Sequence, residues 1–559
     1  MPHQLGYGVR LGAEAAAHAA RLYLSKLTAN KALLKLDFTN AFNTVRRDKM
    51  LASVELLAPS IFPFIHSVYS APSSLFWDDR VIHSCEGIKQ GDPLGPLLFC
   101  LSIHHLLLAL HSELSMSYLD DISLGGDVED ISNDLVMFKQ GAKDVGLQLN
   151  PNKCEIISVV PDSQNSILSL VPGSRIVNLS MATLLGSPLG DVPGISSVLT
   201  EKTNLLKIMA VVLSSHSTML LITTTSAVRC CSQNNYVQHH LSNDHSAWTQ
   251  AVLLVRHGGL GIRSAVRLAP SAYLASAAAS STLVHQILLP QFSDTDLLCF
   301  QEALALWTNS SNQSPPEGIT SYHQKSWDIP TILAIKENLL NSATNESSKS
   351  RLLAAFSEES GIWLNALPLS SLGLRMDDST FQIAVSLRLG LAFCKPHSCH
   401  HCGCEVTAFA THGLSCVKSQ GRYRRHSSLN DIIHRAFGAS RIPSRLEPSG
   451  ISRSDAELHH RRQGQWLTKL RNGNSTNMDP NMYLFAPVVI ETSGVFGKQT
   501  LLFLKDLACR FCKVSGEVKS LPYLLQCLAV AVQRGNAVSV LGTFVSEDCL
   551  VFEDSDAYY

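Results

Sequence analysis

Two apolar-leaning runs meet at a pair of adjacent acids in SMSYLDDISLGG, residues 115–126, the pattern of a tight β-hairpin with Asp120 and Asp121 at its tip. Like charges there are costly unless cations neutralise them. A third acid, Asp37, stands at the end of the short apolar run Ala32 to Phe38, an expected strand. An Ala-rich segment, Ala13 to Leu27, precedes that run, and the spacing predicts one amphipathic helix over Met50 to Tyr69. The opening block therefore alternates helix-like and strand-like patterns and reads as α+β or α/β. At 559 residues the chain is long enough for several separate cores. Its 45% hydrophobic and 16% charged residues exclude a broadly disordered, collagen-like or coiled-coil chain. The formal charge of -1 excludes a uniformly basic binder, although opposed regional charges can cancel in the sum.

Three carboxylates converging from two strands suit a pair of Mg²⁺ ions, which take oxygen ligands. Such a pair activates a 3′-hydroxyl and stabilises a leaving pyrophosphate, the chemistry of nucleotidyl transfer. Between the acids lies CEGIKQGDPLGPLLFCLSIHHLL, residues 85–107, a Gly/Pro-rich loop feeding a long apolar helix. Gln90 and Gly91 stand there where backbone could approach a nucleobase or sugar. After the acids, DVGLQLNPNKCEIIS puts Lys153 just past a turn, in reach of a phosphate. Taken singly, an acid pair is most simply a solvated turn, a lysine a surface charge and QGDP a plain loop. Their order along the chain is what carries the reading.

At these residues the chain resembles the reverse transcriptases of non-LTR retrotransposons, RNA-directed DNA polymerases with a palm of right-hand type. LDFTNAFNTV, GIKQGDPLGPLLF, YLDD, GLQLNPNKCEI and LLGSPLG at 184–190 follow in order over roughly residues 4–190. The resemblance implies that Asp37, Asp120 and Asp121 bind the two Mg²⁺ ions. It makes Phe42 a steric gate against a ribose 2′-hydroxyl, and has Gln90 and Gly91 line the template and incoming-nucleotide site. It gives Lys153 the role of protonating pyrophosphate and makes 184–190 the primer grip. The family also carries a long fingers region, with basic residues that grip the triphosphate, before its first palm motif. Here Asp37 arrives almost at once, so the fingers are expected to be largely missing and catalysis to suffer.

The expected organisation is a palm over 1–192, a helical thumb-like region over 193–307, a linker and helical connector over 308–390, a zinc knuckle over 391–420 and a nuclease-like remnant over 421–559. HGGLG at 257–261 suits a turn with positive φ, and TNSSNQSPP at 308–316 and NSATNESSKS at 341–350 read as exposed linkers. Cys399 and Cys402 are followed by His412 and Cys416, the arrangement a tetrahedral structural Zn²⁺ requires. Cys394, His397, His400, His401 and Cys404 leave other ligand sets open. The same four residues match the CCHC finger that follows the polymerase in the resembling elements. Residues 417–471 hold twelve Lys/Arg against four Asp/Glu, either a solvated basic face or a nucleic-acid contact surface. Elements of this kind continue into a restriction-like endonuclease. RHSSLNDIIHRAF, LEPSGISRSD and PVVIETSGVFG resemble its context, while its paired-acid core is missing. Glu447, Asp455 and Glu491 are the acids left to nominate. The segment closes with a strand-like run, Leu484 to Ile490, and a helical Leu521 to Val540.

The resemblance thus implies an RNA-directed DNA polymerase of a non-LTR retrotransposon, or a non-catalytic nucleic-acid-binding relic of one. Its partners would be an RNA template, a DNA primer or target and deoxynucleoside triphosphates. Fifteen scattered cysteines fit a reducing compartment, no secretory leader is visible, and the resemblance implies the nucleus or otherwise the cytoplasm. The greasy stretches Pro93 to Leu110 and Ile208 to Val228 carry polar interruptions and read as buried helices, so no membrane partner is expected.

Overall fold

The run KALLKL becomes β1 (Lys31–Leu36), the middle of a five-stranded sheet. It pairs antiparallel on one side with β5 (Asp121–Asp127) and on the other with β6 (Glu155–Ser158). β4 (Leu114–Tyr118) lies outside β5, and a short parallel strand, β7 (Arg175–Ile176), lies beyond β6. Ala32, Leu34 and Leu36 point to one face and Leu33 to the other, and all are buried, which is why this strand is apolar throughout rather than alternating. In this computed structural model the described residues are 3–190 apart from 79, then 196–198, 200, 244–288 apart from 263, 298–444, 467–470, 484–545 and 550.

The first face of the sheet is covered by α3 (Arg47–Leu57), α5 (Gly95–Leu108), α6 (Val128–Asp144) and α7 (Pro161–Leu170), around Met50, Phe99, Ile103, Leu135 and Phe138. The second is covered by α1 (Gly12–Ser25), the β8–β9 hairpin (Thr183–Leu184 and Ser187–Pro188) and the end of helix Ala265–Ile287. Tyr23 of α1 packs against Gly125, where an added Cβ would come within 2.9 Å of its ring. The single helix expected over Met50 to Tyr69 is two, α3 and α4 (Phe62–Tyr69). Pro59 has no N–H to donate and disfavours helical geometry at Ala58, which leaves the helix at ψ 55°. A two-stranded ribbon, β2 (Ser73–Trp77) with β3 (Arg80–Ser84), stands apart from the sheet and exposes Phe76, Val81 and Ile82.

The chain forms two compact units, Met1–Val212 with Val266–Thr331 and Leu213–Ala265 with Ile332–Tyr559. The expected thumb-like stretch 193–307 is therefore divided. Helix Ala265–Ile287 joins the first unit, where Ser276 meets the His18 ring and Tyr273 sits under Arg21. The preceding HGGLG turn belongs to the second unit. Its Gly258 and Gly261 have φ of 101° and 79°, as the sequence predicts, and an added Cβ on Gly259 would sit 2.0 Å from the Leu253 carbonyl oxygen. The turn is gripped by Arg388, which is buried. Its guanidinium donates to the carbonyls of Gly259, Val255 and Ala355 and to Ser360 Oγ. Burial lowers the pKa of Arg388 to about 10, with the neighbouring Arg351 adding to the effect.

Two expected linkers are partly helical. Residues 308–311 finish helix Leu298–Ser311, whose Trp307 packs edge-on against Trp327, and Asn345 accepts from the Ser348 N–H to cap helix Glu346–Ala355. TTTSAVRCCSQNNYVQHH and Ile208 to Val228 lie outside the described residues. In the second unit the closing segment gives a strand, Leu484–Pro487, paired with Leu467–Leu470, and helix Ser520–Leu541. That helix is long and apolar enough to cross a membrane, and 67% of its most apolar window is buried inside the unit. It forms the spine against which helices Asp378–Leu389, Gly421–Ala439 and Lys498–Ser515 pack.

Replacing Arg388 with Met would strand several buried acceptors at a cost of about 2 kcal/mol. A fall of about 4–8 °C in the thermal midpoint of the second unit, followed by circular dichroism, is the expected outcome.

Candidate active site and metal centre

Leu36 pairs with Ile122, so Asp37 stands one residue past the end of β1 beside Asp121, the first residue of β5. Tyr118 closes the hairpin against Asp121, leaving Leu119 and Asp120 as its two-residue turn. Beyond β1 the chain continues antiparallel to residues 148–150: Asn150 N–H donates to the Asp37 carbonyl at 2.8 Å, and Phe38 bridges Leu149. The next turn then carries Lys153, whose Nζ lies 3.8 Å from Asp37 Oδ1. The strand register thus gathers Asp37, Asp120, Asp121 and Lys153 at one end of the sheet.

Desolvation raises the pKa of Asp37, helped by Asp120 and opposed by Lys153 and Lys35. Desolvation also raises Asp121, and there the like charges of Asp120 and Asp37 add to it. Asp37 Oδ1 is buried and accepts no hydrogen bond, with Lys153 as its ion-pair neighbour, so a carboxylate oxygen with lone pairs to spare stands at the strand end. An all-oxygen donor set of this kind fits Mg²⁺. Among the described residues these three acids are not a group whose ligand atoms are drawn around one point.

The turn itself is braced by a residue the sequence did not single out. Gln4 Oε1 accepts from the Leu119 N–H at 2.8 Å, while Gln4 Nε2 donates to the Leu119 carbonyl and to Ser117 Oγ. Leu119 has φ 56°, an uncommon value for a branched side chain, and this bracing holds it there. Residues 3–5 run along β4, with Ser117 N–H donating to the His3 carbonyl and Leu5 N–H to the Ser117 carbonyl. Gly6 permits the approach, since an added Cβ would lie 2.6 Å from the Leu119 nitrogen.

Phe42 stacks on Phe99 of α5 with ring centroids 4.6 Å apart, and its carbonyl accepts from the Ile88 N–H. This ties the segment after Asp37 to the loop bearing Gln90 and Gly91, both exposed, with Gly91 at φ 84°. The loop is held from below by the buried Arg47, which donates to the carbonyls of Ser84, Glu86 and Gly87. Arg47 and Lys89 both lie over the Tyr69 ring, at 5.4 and 5.1 Å, and the Tyr69 hydroxyl donates to Asp92. Neither Arg47 nor Tyr69 stands out in the sequence, because nothing local marks a helix residue that braces a loop forty positions away. The 184–190 segment forms the β8–β9 turn, with Leu185 and Gly186 both at positive φ. Lys35 donates to its Thr183 carbonyl and Arg21 to its Pro188 carbonyl.

In the second unit the ligand atoms of Cys399, Cys402, His412 and Cys416 all lie within 4.8 Å of one another. Cys399 Sγ is 4.0 Å from Cys416 Sγ, and Cys402 Sγ is 3.1 Å from His412 Nε2. Edges of this length suit a tetrahedron around an ion with bonds of about 2.0–2.3 Å, so the set fits Zn²⁺. Among the described residues it is the group of three or more His, Cys, Asp or Glu side chains drawn around one point. Cys394 is turned instead to the Thr407 carbonyl, which removes it from the alternatives. Gly403, at φ 74°, donates its N–H to the Cys399 carbonyl and so makes the knuckle turn. The Cys404 N–H and the neighbouring thiols lower the pKa of Cys402, while desolvation raises that of Cys416. Of the acids nominated for the tail, Glu447 and Asp455 lie outside the described residues. Glu491 sits in a tight turn, accepting from Ser493 Oγ.

Residues 3–188 match the family model for reverse transcriptase (RNA-dependent DNA polymerase). The first unit contains a reverse-transcriptase-like domain. Its mixed sheet and helices fit a polymerase palm, and the match ends within the β8–β9 hairpin. The retrovirus-related Pol polyprotein from the type-1 retrotransposable element R2 of Popillia japonica is 29% identical over 154 residues, 24% of this chain and 25% of that protein. The corresponding protein of Bradysia coprophila is 25% identical over 161 residues, covering 25% of this chain and 18% of that protein. The type-2 element R2DM protein of Drosophila melanogaster is 26% identical over 161 residues, 25% of this chain and 14% of that protein. The chain thus aligns with a quarter or less of the length of the curated relatives it matches.

Two outcomes follow from this reverse-transcriptase-like unit and the knuckle beside it in sequence. In Gln4→Ala the Leu119 amide loses its acceptor, and hydrogen exchange there should quicken about tenfold while amides of the β1–β6 ladder hold their rates. Purified chain should carry about one equivalent of zinc by elemental analysis, and Cys416→Ser should lose it.

Proposed function

We propose that the first unit is an RNA-directed DNA polymerase of the non-LTR retrotransposon kind, extending a DNA primer on an RNA template with deoxynucleoside triphosphates. The observation that carries this reading is the placement of Asp37 beside Asp121 at the sheet end, with a buried carboxylate oxygen lacking a donor. Asp37, Asp120 and Asp121 would hold two Mg²⁺ ions, which when bound activate the primer 3′-hydroxyl and stabilise the leaving pyrophosphate. Phe42, backed by Phe99, forms the wall that a ribose 2′-hydroxyl would strike. Lys153, exposed beside Asp37, is placed to give a proton to the departing pyrophosphate. Gln90 and Gly91, on the loop braced by Arg47, meet the template and the incoming nucleotide, and the β8–β9 turn grips the primer end. The second unit contributes a CCHC finger built on Zn²⁺ and a remnant of a restriction-like endonuclease that contacts nucleic acid without cutting it. The protein works in the nucleus or otherwise the cytoplasm, with no membrane partner.

The rival reading, a non-catalytic nucleic-acid-binding relic, draws on the basic helix Gly421–Ala439. Primer extension on an RNA template with purified protein separates the two. Mg²⁺-dependent extension should fall by at least about 10²–10³-fold in Asp120→Asn. Phe42→Ala should raise ribonucleotide incorporation about tenfold relative to deoxynucleotide. Salt-sensitive RNA binding with no extension by the unaltered chain would decide for the relic.

A further inference from the structure

The second unit contains a groove of about 560 Å³ between helices Gly421–Ala439, Lys498–Ser515 and Ser520–Leu541. Its floor is apolar, formed by Ile432, Ala436, Leu507 and Leu524 among others. Its rim carries the guanidinium groups of Arg424, Arg435 and Arg534, against Asp431 as the one acid in the lining. Among the described residues none of these arginines makes an ion pair. Arg435 Nε donates to the Asp431 carbonyl and Arg534 Nη2 to the Arg375 carbonyl, so their charges are not cancelled. A neighbouring recess is lined by Arg375 and Arg534 together with Asp377.

The arrangement follows from helix geometry. Arg424, Ser428, Asp431 and Arg435 recur at spacings of three and four residues and so share one face of their helix. Tyr523, Cys527, Ala531 and Arg534 do the same on theirs. The two helices run antiparallel, since Arg425 bonds Asn536 near one end, where Gly421 also abuts Ser539. Arg424 therefore lies toward Arg534, and Arg435 toward Tyr523 and Cys527. Eleven residues of helix separate the two ends of the track, about 16 Å at 1.5 Å per residue. Tyr523 is 41% exposed, so its ring is open to a ligand.

We propose that this groove binds a stretch of single-stranded nucleic acid, with phosphates on Arg424, Arg435 and Arg534 and a base stacked on Tyr523 over the apolar floor. Uncancelled guanidinium groups call for an anionic partner. The apolar floor and the open aromatic ring call for a flat apolar surface attached to that anion. A duplex keeps its base faces inside the stack and cannot offer them, whereas a single strand presents both. The proposal rests on the nucleic-acid-binding part of the reading above but not on polymerase activity, because the groove lies in the second unit.

The test is fluorescence anisotropy of the full chain with labelled oligo(dT), oligo(U) and a duplex of matched length, across a series of salt concentrations. The triple variant Arg424→Gln, Arg435→Gln, Arg534→Gln should flatten the log affinity against log salt slope for single strands by about 2, at about 0.7 per lost phosphate contact. Lysine at the same three positions should keep the slope. Tyr523→Ala should weaken binding about tenfold with the slope unchanged. Preference between oligo(dT) and oligo(U) identifies the strand as DNA or RNA. Thermal unfolding of each variant checks that the exposed changes leave the fold intact. An unchanged slope in a folded triple variant overturns the groove and leaves the polymerase reading standing. No binding of any strand by the unaltered chain overturns both. An equal loss of slope for duplex overturns the single-strand assignment. Capture of an acidic helical peptide with the oligonucleotide slope unchanged assigns the groove to protein and overturns the proposal.

Discussion

Carboxylates that repel one another are held together here by backbone ladders and by the apolar burial of the strand that carries one of them. β1 is laddered on both sides, to β5 and to β6, so the position of Asp37 is fixed by two independent registers. A slip of one residue in either would swing Asp37 to the opposite face and take Leu34 and Leu36 out of their core with it. The apolar cover of α3, α5 and α6 is therefore what keeps the acids in place, because their mutual repulsion is opposed by the burial of the same strand's leucines. Lys153 and Lys35 relieve part of that repulsion without removing it.

What was legible in the sequence was local. The hairpin around Asp120 and Asp121, the positive-φ glycines at 258 and 261 and the Cys/His spacing depend on neighbours within a few positions and appear where the pattern placed them, while the strand expected over Ala32 to Phe38 forms over Lys31–Leu36. The break at Pro59 was also written locally and was masked by the apolar periodicity on either side of it. The rest was not legible, because it depends on contacts between distant segments. Nothing near Arg388 announces that it will hold a turn 129 positions away, and nothing near Arg47 announces the loop at Gly87. The division of the helical region between two units is of the same kind, decided by which core each amphipathic face finds.

In the second unit the long apolar helix Ser520–Leu541 organises its surroundings through close approach as well as burial. Gly413, inside the Cys/His set, and Gly421, at the start of the basic helix, both lie so near Ser539 that an added Cβ would reach within 2.9 and 2.4 Å of its atoms. The segment carrying the thiol and imidazole ligands and the helix that lines the arginine-rimmed groove therefore both pack on this one helix. Small residues at 413 and 421 are required by this packing whether or not the region touches nucleic acid.

Gln4 reaches across 115 positions of sequence to secure the turn at Leu119. A hairpin can close quickly by itself, whereas joining points so far apart carries the loop-closure entropy of everything between them. The peptide next to Asp120 is thus held by a contact that exists only while residues 3–5 lie along β4, so the acid turn is exposed to any change in a segment remote from it in the chain.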